Sequence, residues 1–358
     1  MRSSRIILSL LVAVVSLSCK AQVNDKTWQK ITHSKEEAWF GTDEAVKMAE
    51  NVLLYQRNIG GWPKNTQMQN VLSEAEKKKL IALKSEPKET TIDNGATTQE
   101  MMFLSKVYKQ KPDERYKEAF LKGLDYLLEA QYANGGWPQF FPLKKGYYTH
   151  ITYNDDAMVN VLKLLQALKD GSDDYAIKPN DAILKKVTIA FDKGIDCIIK
   201  TQYKQNGKLT AWCAQHDEVT LQPANARAFE LASLSGKESA KITLLLMSIK
   251  NPDKQIKYAV EAAVAWFEKT QIKGIKLENV TNSDGKKDRV VVEDASAEPL
   301  WARFMNLEDN KPFFCDRDGI KKYTLAEIGY ERRNGYAWYT NEPKEVLKKY
   351  EKWKNSLK

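Results

Sequence analysis

Three short segments place oxygen donors and one guanidinium where helices are expected to begin. They read Thr91-Ile-Asp93-Asn94-Gly95-Ala-Thr97-Thr98-Gln99-Glu100, then Thr152-Tyr-Asn154-Asp155-Asp156-Ala157, then Leu221-Gln222-Pro223-Ala-Asn225-Ala-Arg227-Ala-Phe229-Glu230. Carboxylates unaccompanied by His or Cys favour a hard cation, and Ca2+ accepts carboxylate and carbonyl oxygens in irregular geometry. Two carboxylates, a cation and aromatic faces in one cleft would suit a carbohydrate, because rings stack on sugars and arginine clamps carboxylates in bidentate fashion. Local readings compete with this one. Asp, Asn and Thr at a helix start are good N-caps, and Thr97-x-x-Glu100 resembles a capping box. Arg227 could pair with Glu230 or Asp217. Yet a cation near the start of a helix opposes the positive end of the helix dipole, so Arg227 is the hardest of these residues to explain as packing.

What could bring such distant segments together is a repeat. Trp62, Trp137 and Trp212 are spaced 75 residues apart, and their lead-ins match: Tyr55-Gln-Arg-Asn-Ile-Gly-Gly-Trp-Pro63, Gln131-Tyr-Ala-Asn-Gly-Gly-Trp-Pro138 and Gln202-Tyr-Lys-Gln-Asn-Gly-Lys-Leu-Thr-Ala-Trp212. Thr270-Gln271 offers a fourth lead-in. A fixed period marks stacked structural units. Apolar residues at helical spacing predict helices over 96–110, 116–130, 158–168, 183–201, 226–234 and 256–270. Gly or Asn-Gly then stops several of them. Strand signal is confined to Lys273–Val280 and Arg289–Glu293, joined across Asn282-Ser-Asp-Gly285. The predicted fold is all-α, an incomplete α/α toroid of helical hairpins with minor β decoration. Asp93 and Asp155 lie 62 residues apart and Asp155 and Arg227 lie 72 apart, near the tryptophan period. Equivalent points of successive hairpins fall on one end of a toroid, so the three should meet in one cleft. Trp212 and Tyr336 are expected to offer rings to the substrate there, and Gly135-Gly136-Trp137-Pro138 either presents a ring or packs between repeats.

With 358 residues and 42% hydrophobic content the chain can bury one large core. No Ser-, Gly- or Pro-rich run separates domains, so residues 22–358 are expected to form one catalytic domain. Residues 1–21 read as a signal peptide: Arg2 and Arg5 precede the apolar run Ile6 to Leu17, and Cys19-Lys-Ala21 follows. Cleavage after Ala21 would free an exported protein, periplasmic or secreted, whereas processing before Cys19 would anchor it through lipid. Beyond the leader, Cys197, Cys213 and Cys315 are too few and too odd for a disulfide framework. The net charge of +9 is spread over the chain. It reads mostly as solvated helix faces and by itself does not choose among an acidic polymer, an anionic surface and nucleic acid. Nucleic acid is the weakest of these, because no recognition motif accompanies the charge. A monomer without a transmembrane segment is expected.

Taken together, these segments resemble polysaccharide lyase family ten, the pectate lyases of the α/α toroid class. The likeness is carried by Asp93-Asn-Gly-Ala-Thr-Thr98, Tyr153-Asn-Asp-Asp-Ala157, Gln222-Pro-Ala-Asn-Ala-Arg-Ala-Phe-Glu230, Glu298-Pro-Leu-Trp-Ala-Arg-Phe304 and Arg333-Asn-Gly-Tyr-Ala-Trp-Tyr339. It implies Ca2+-dependent anti β-elimination of polygalacturonate, leaving 4,5-unsaturated oligogalacturonides. It further implies that Arg227 is the base and that Asp93 is essential, binding metal and substrate. Asp155 and Asp156 would be further metal ligands, Asn94 would contact substrate, and Arg303 and Arg317 would grip its carboxylates.

Three other readings remain open on the residues alone. An α/α-toroid glycoside hydrolase would use Asp93 and Asp155 as an acid and base pair. The run Lys122 to Gln131 with Gly135-Gly-Trp137 resembles the Gln-Trp repeat of terpene cyclases, but the chain is hydrophilic and lacks their Asp-rich acid motif. A non-catalytic surface glycan-binding protein would keep the aromatics and could dispense with Arg227.

Overall fold

The computed structural model describes residues 27–357, so the leader segment 1–21, with Cys19, lies outside the described residues. Eleven α-helices form among them: α1 (Trp28–Thr32), α2 (Asp43–Tyr55), α3 (Glu74–Ala82), α4 (Thr98–Gln110), α5 (Glu114–Glu129), α6 (Ala157–Lys169), α7 (Asp181–Thr201), α8 (Gly236–Ser248), α9 (Lys254–Lys269), α10 (Tyr330–Gly335) and α11 (Pro343–Asn355). Helices α4, α6 and α8 pack in succession as one row, and α2, α5, α7 and α9 as a second row. The hairpins α4–α5, α6–α7 and α8–α9 join the rows, and α11 lies against α8 and α9. This is the toroid-like, mostly helical fold expected. Five of the six predicted helices match α4, α5, α6, α7 and α9 to within a turn.

The repeated residues turn out to be staples. Each indole N–H donates into the last turn of the preceding second-row helix: Trp62 to the Val52 carbonyl at 2.8 Å, Trp137 to Leu127 at 2.7 Å, Trp212 to Ile198 at 2.8 Å and Trp301 to Phe267 at 2.9 Å. Each lead-in glutamine reaches one unit further. Gln56 Nε2 donates to the carbonyls of Gly60 and Ala119, Gln131 to Gly135 and Ala190, and Gln202 to Thr210 and Ala259. The second carbonyl of each pair belongs to the next second-row helix. Gly60 and Gly135 permit this approach. Their φ values are +105° and +91°, and a Cβ would come within 2.2 Å of the Lys122 carbonyl oxygen or 2.0 Å of that of Lys193.

Trp137 and Trp212 are therefore fully buried. No sugar can stack on Trp212, which overturns its expected role in substrate binding, and the same burial decides for packing at Trp137.

The predicted hairpin forms antiparallel strands Ile275–Thr281 and Lys287–Glu293, with Ile275 opposite Glu293. The C-terminal segment carries a separate small core of Phe229, Phe304, Phe313, Phe314, Cys315, Leu325, Ile328 and Trp338. No helix forms over 226–234. Pro223 removes a donor, and the remaining backbone groups bond elsewhere: Ala224 N to Gln215 O, Glu230 N to Arg227 O and Ala226 N to Glu230 O. Arg227 thus stands on a tight turn, and the helix-dipole argument does not apply to it.

Candidate active site

The second-row helices α5, α7 and α9 begin on side-chain caps, Asp113, Asn180 and Asp253. The first-row helices α4, α6 and α8 begin without any. The acidic residues before α4 and α6 are therefore not spent on capping. Thr97 and Glu100 form no capping box either: the Thr97 hydroxyl donates to the Thr91 carbonyl at 2.9 Å and does not cap α4, and the fully buried Glu100 accepts from the Trp28 indole at 2.7 Å.

Both acidic segments instead form short left-handed turns. Asn94 and Gly95 have φ of 52° and 76°, and Asp155 and Asp156 have 50° and 62°. Non-glycine residues in this region carry strain and concentrate at functional sites. The two turns abut each other. Each hangs on the residue two places after the next repeat tryptophan. Ile92 N donates to the Gln139 carbonyl at 3.3 Å, and Tyr153 N and Asn154 N both donate to that of Ala214 at 2.9 Å.

Asp93 is only 3% exposed. Its Oδ2 accepts from the Lys64 ammonium and from Gln139 Nε2 at 2.6 Å, and its Oδ1 accepts from Asn94 N at 3.0 Å. Asn94 is exposed, bonded to Asn65 Oδ1 at 2.9 Å. Asp155 is half-buried. Its Oδ1 accepts from Lys237 Nζ at 2.8 Å and from Arg303 Nη2 at 3.1 Å. Burial opposes its ionisation, yet Arg303 and Lys237 hold its carboxyl at about 2. Arg303 is itself buried, and its Nη2 also donates to Asn154 Oδ1 at 2.9 Å and Glu238 Oε1 at 3.0 Å.

From Arg303 the site continues through Tyr336. The guanidinium lies 4.6 Å from the Tyr336 ring centroid, and the Tyr336 hydroxyl donates to Glu230 Oε1 at 2.8 Å. Glu230 accepts from Arg227 twice, from Nε and from Nη2, both at 2.6 Å. Arg227 rests 4.8 Å from the Phe229 ring centroid, and Arg317 and Arg332 approach the same ring at 5.7 and 4.4 Å. Asn154, Ala226 and Glu230 line one small cleft with Phe304. Asp155 and Arg227 are thus joined by one chain of contacts that runs through the buried Arg303, the Tyr336 ring and Glu230, and the turn of Asp93 adjoins that of Asp155. Arg317 is exposed and pairs with Glu331 at 3.1 Å.

Asp156 departs from expectation. Burial pushes its carboxyl up to about 6, and the charged groups that act on it are Lys237, Glu238, Lys241 and Glu342. Among the described residues, the group of three His, Cys, Asp or Glu ligand atoms within 4.8 Å of one another is His150, Asp217 and Glu218. Asp93, Asp155 and Asp156 therefore do not converge as a three-carboxylate metal set.

The sequence reading missed Lys64, Gln139, Lys237 and Glu238. A signal existed for two of them. Lys64 and Gln139 each follow a Trp-Pro pair, 75 residues apart, and both donate to the same oxygen of Asp93. Lys237 and Glu238 stand at the start of α8 with no comparable mark.

A family model described as pectic acid lyase matches residues 56–347. A family 10 polysaccharide lyase from Cellvibrio cellulosa is similar in structure, at 35% identity and a TM-score of 0.76, over 91% of this chain and 95% of that one. An aspartate-to-alanine mutant of a family 10 polysaccharide lyase from Cellvibrio cellulosa, in complex with trigalacturonic acid, matches with the same identity, coverage and score. A search of curated protein sequences finds no match. No helix among the described residues is long and apolar enough to cross a membrane.

Proposed function

This chain belongs to the pectic acid lyase family and is a lyase acting on pectate; from that premise we propose that it cleaves polygalacturonate by Ca2+-assisted anti β-elimination with Arg227 as the base. The observation that carries this reading is the unbroken run from Asp155 through Arg303 and Tyr336 to Arg227.

In the reaction Arg227 takes the C5 proton and the C–H electron pair is held on the adjoining carboxyl. That pair becomes the C4=C5 double bond as the C4–O4 bond breaks, and O4 leaves with the C4–O4 electrons and takes up a proton from water. The C5 proton sits α to an ionised carboxyl, so removing it builds up negative charge there. Preorganised cations at that point lower the barrier. Arg317, exposed beside Arg227, is placed to receive a neighbouring uronate. Asp93 and Asp155 offer only oxygen on abutting turns, a donor set that suits Ca2+. They would hold the ion together with the substrate uronate, and the bound ion would neutralise that carboxylate as a Lewis acid. Lys64 and Lys237 now neutralise those two carboxylates. Calcium must compete with them, which favours its entry with the polyanionic substrate.

Arginine is a costly base. Neutralising a free guanidinium at pH 7 takes roughly 7 kcal/mol, and the Glu230 clamp holds Arg227 protonated still more firmly. Activity should therefore climb above pH 8 on alkaline titration. A hydrolase reading fares worse. It needs one carboxyl protonated near neutrality and a second ionised. Asp155, held at about 2, could serve only as the ionised member of the Asp93–Asp155 pair, and the reading leaves the Arg227–Glu230 pair without a role.

We take residues 1–21 as an export leader. Cell fractionation of a Cys19→Ser variant separates the two outcomes, because lipid anchoring requires that thiol. The central test is incubation with polygalacturonate, with and without chelator, following ultraviolet absorbance of the conjugated uronate product. Product that accumulates equally with chelator present contradicts the role of calcium, and a profile peaking near pH 5 contradicts an arginine base.

A further inference from the structure

The third acidic group at this site belongs to neither turn. Glu230 is buried, yet both of its carboxylate oxygens point at Arg227. Oε2 accepts from Arg227 Nε at 2.6 Å and from the Arg227 backbone N at 3.2 Å, and Oε1 accepts from Nη2 at 2.6 Å. The Tyr336 hydroxyl holds Oε1 from a third direction at 2.8 Å. The backbone ties the same four residues into a turn, with Glu230 N donating to the Arg227 carbonyl at 2.7 Å. Phe229 supplies a floor beneath the guanidinium.

This arrangement differs from an ordinary surface ion pair. A bidentate fork fixes the plane of the guanidinium as well as its position. Nε spends its one N–H and Nη2 one of its two, whereas both N–H groups of Nη1 have no hydrogen-bond partner among the described residues. The Arg227 side chain remains 46% exposed, while that of Glu230 is 8% exposed. One nitrogen of a rigid group is thus left to face whatever enters the cleft.

We propose that Glu230, braced by Tyr336, is a positioning residue that orients Arg227 so that Nη1 addresses the substrate. The assignment rests on Arg227 being the base. It adds a second consequence, because the carboxylate that aligns the guanidinium also favours its charged form. Alignment and basicity are set against each other at this pair. The free enzyme holds Arg227 aligned but protonated. Glu230 acts on it most strongly, burial opposes the charge, and the Tyr336 and Tyr147 hydroxyls also face it. The displacement of the activity limb when Glu230 loses its charge therefore reports the share that is Glu230's.

Glu230→Gln separates the two effects, because it keeps a side chain of the same shape and removes the charge. In purified full-length enzyme acting on polygalacturonate, the rising limb of the kcat profile should move to lower pH by about 1–3 units. Plateau kcat should fall by about 10- to 100-fold through lost alignment, with KM changed less than twofold. Glu230→Asp keeps the charge but shortens the reach, so its limb should stay in place while kcat falls. Tyr336→Phe deletes one hydroxyl and leaves both carboxylate bonds to Arg227, which guards against a Glu230 variant that fails to fold. It should lower kcat less than Glu230→Gln does, with an unmoved limb. An unmoved limb in folded Glu230→Gln, beside an inactive Arg227→Ala, overturns the role of Glu230 and leaves the arginine base standing. Full activity in Arg227→Ala overturns both.

Discussion

The two acidic turns are built alike and charged differently. Asn94–Gly95 and Asp155–Asp156 share a left-handed backbone, a position just before a first-row helix and a carbonyl strap from the next repeat. Their side chains meet different surroundings. Asp93 is sealed in, and all its partners come from repeat loops: Lys64, Gln139 and its own neighbour Asn94. Asp155 opens to solvent and is held by Lys237 from α8 and Arg303 from the irregular C-terminal segment. The repeat thus supplies position, and segments outside the period supply much of the electrostatics. One turn is a fixed anchor, and the other is the joint between the helical body and the part of the molecule that carries Arg303, Arg317 and Tyr336.

If that contrast is real, the two aspartates will not be equivalent in function. Asp93→Ala should lower kcat/KM by about 10³-fold, in line with loss of a preorganised electrostatic group. Asp155→Ala should cost about tenfold less, because Arg303 keeps Glu238 as a partner. Equal losses in steady-state kinetics on polygalacturonate would erase the distinction between anchor and joint.

The joint should instead show itself in stability. Arg303→Met strips its closest countercharge from Glu238, which is fully buried and keeps, among the described residues, Lys237 at 3.7 Å as countercharge and the Ser235 hydroxyl as donor. Removing one partner of a buried pair is strongly destabilising, here by about 3 kcal/mol in denaturant titration. A change below about 1 kcal/mol would mean that Lys237 suffices alone.

Acid titration sharpens the contrast within one turn. Asp155 sits at about 2, below the ordinary aspartate range, so it adds stability above pH 4 that is lost as pH falls towards 2. Asp156 sits at about 6, so between about pH 4 and 6 the folded protein binds more protons than the unfolded chain. Stability therefore falls as pH rises through that window. Asp156→Asn should flatten this slope and raise stability at pH 7 by about 2 kcal/mol. A slope that survives the substitution would place the titrating group elsewhere.

The smallest effect is expected where the repeat alone acts. Trp212→Phe removes the bond to the Ile198 carbonyl and should cost about 1–2 kcal/mol of stability, with KM for polygalacturonate unchanged. A raised KM in a variant of unchanged stability would return Trp212 to the substrate site.

Much of this molecule is legible in its residue order. The 75-residue spacing, the Gln and Trp lead-ins and the apolar faces predict the helical rows, because each unit has an apolar face it cannot bury alone and must stack. The same period predicts that Asp93 and Asp155 share one end of the rows, and applied to Trp-Pro-Lys64 and Trp-Pro-Gln139 it would have found two partners of Asp93. The predicted helix at 226–234 fails because apolar spacing says nothing of where backbone hydrogen bonds go once Pro223 has removed a donor. Trp212 is misjudged because a large ring serves packing and sugar stacking equally well on paper, and burial alone separates them. Only the tertiary structure could decide that Asp156 is half-buried among Lys237, Glu238, Lys241 and Glu342, that Arg303 joins Asp155 to Glu238 across the fold, and that Glu230 takes two nitrogens of Arg227. Stacking follows from local pattern repeated along the chain, whereas a charge finds its partner through contacts between segments that no periodicity relates.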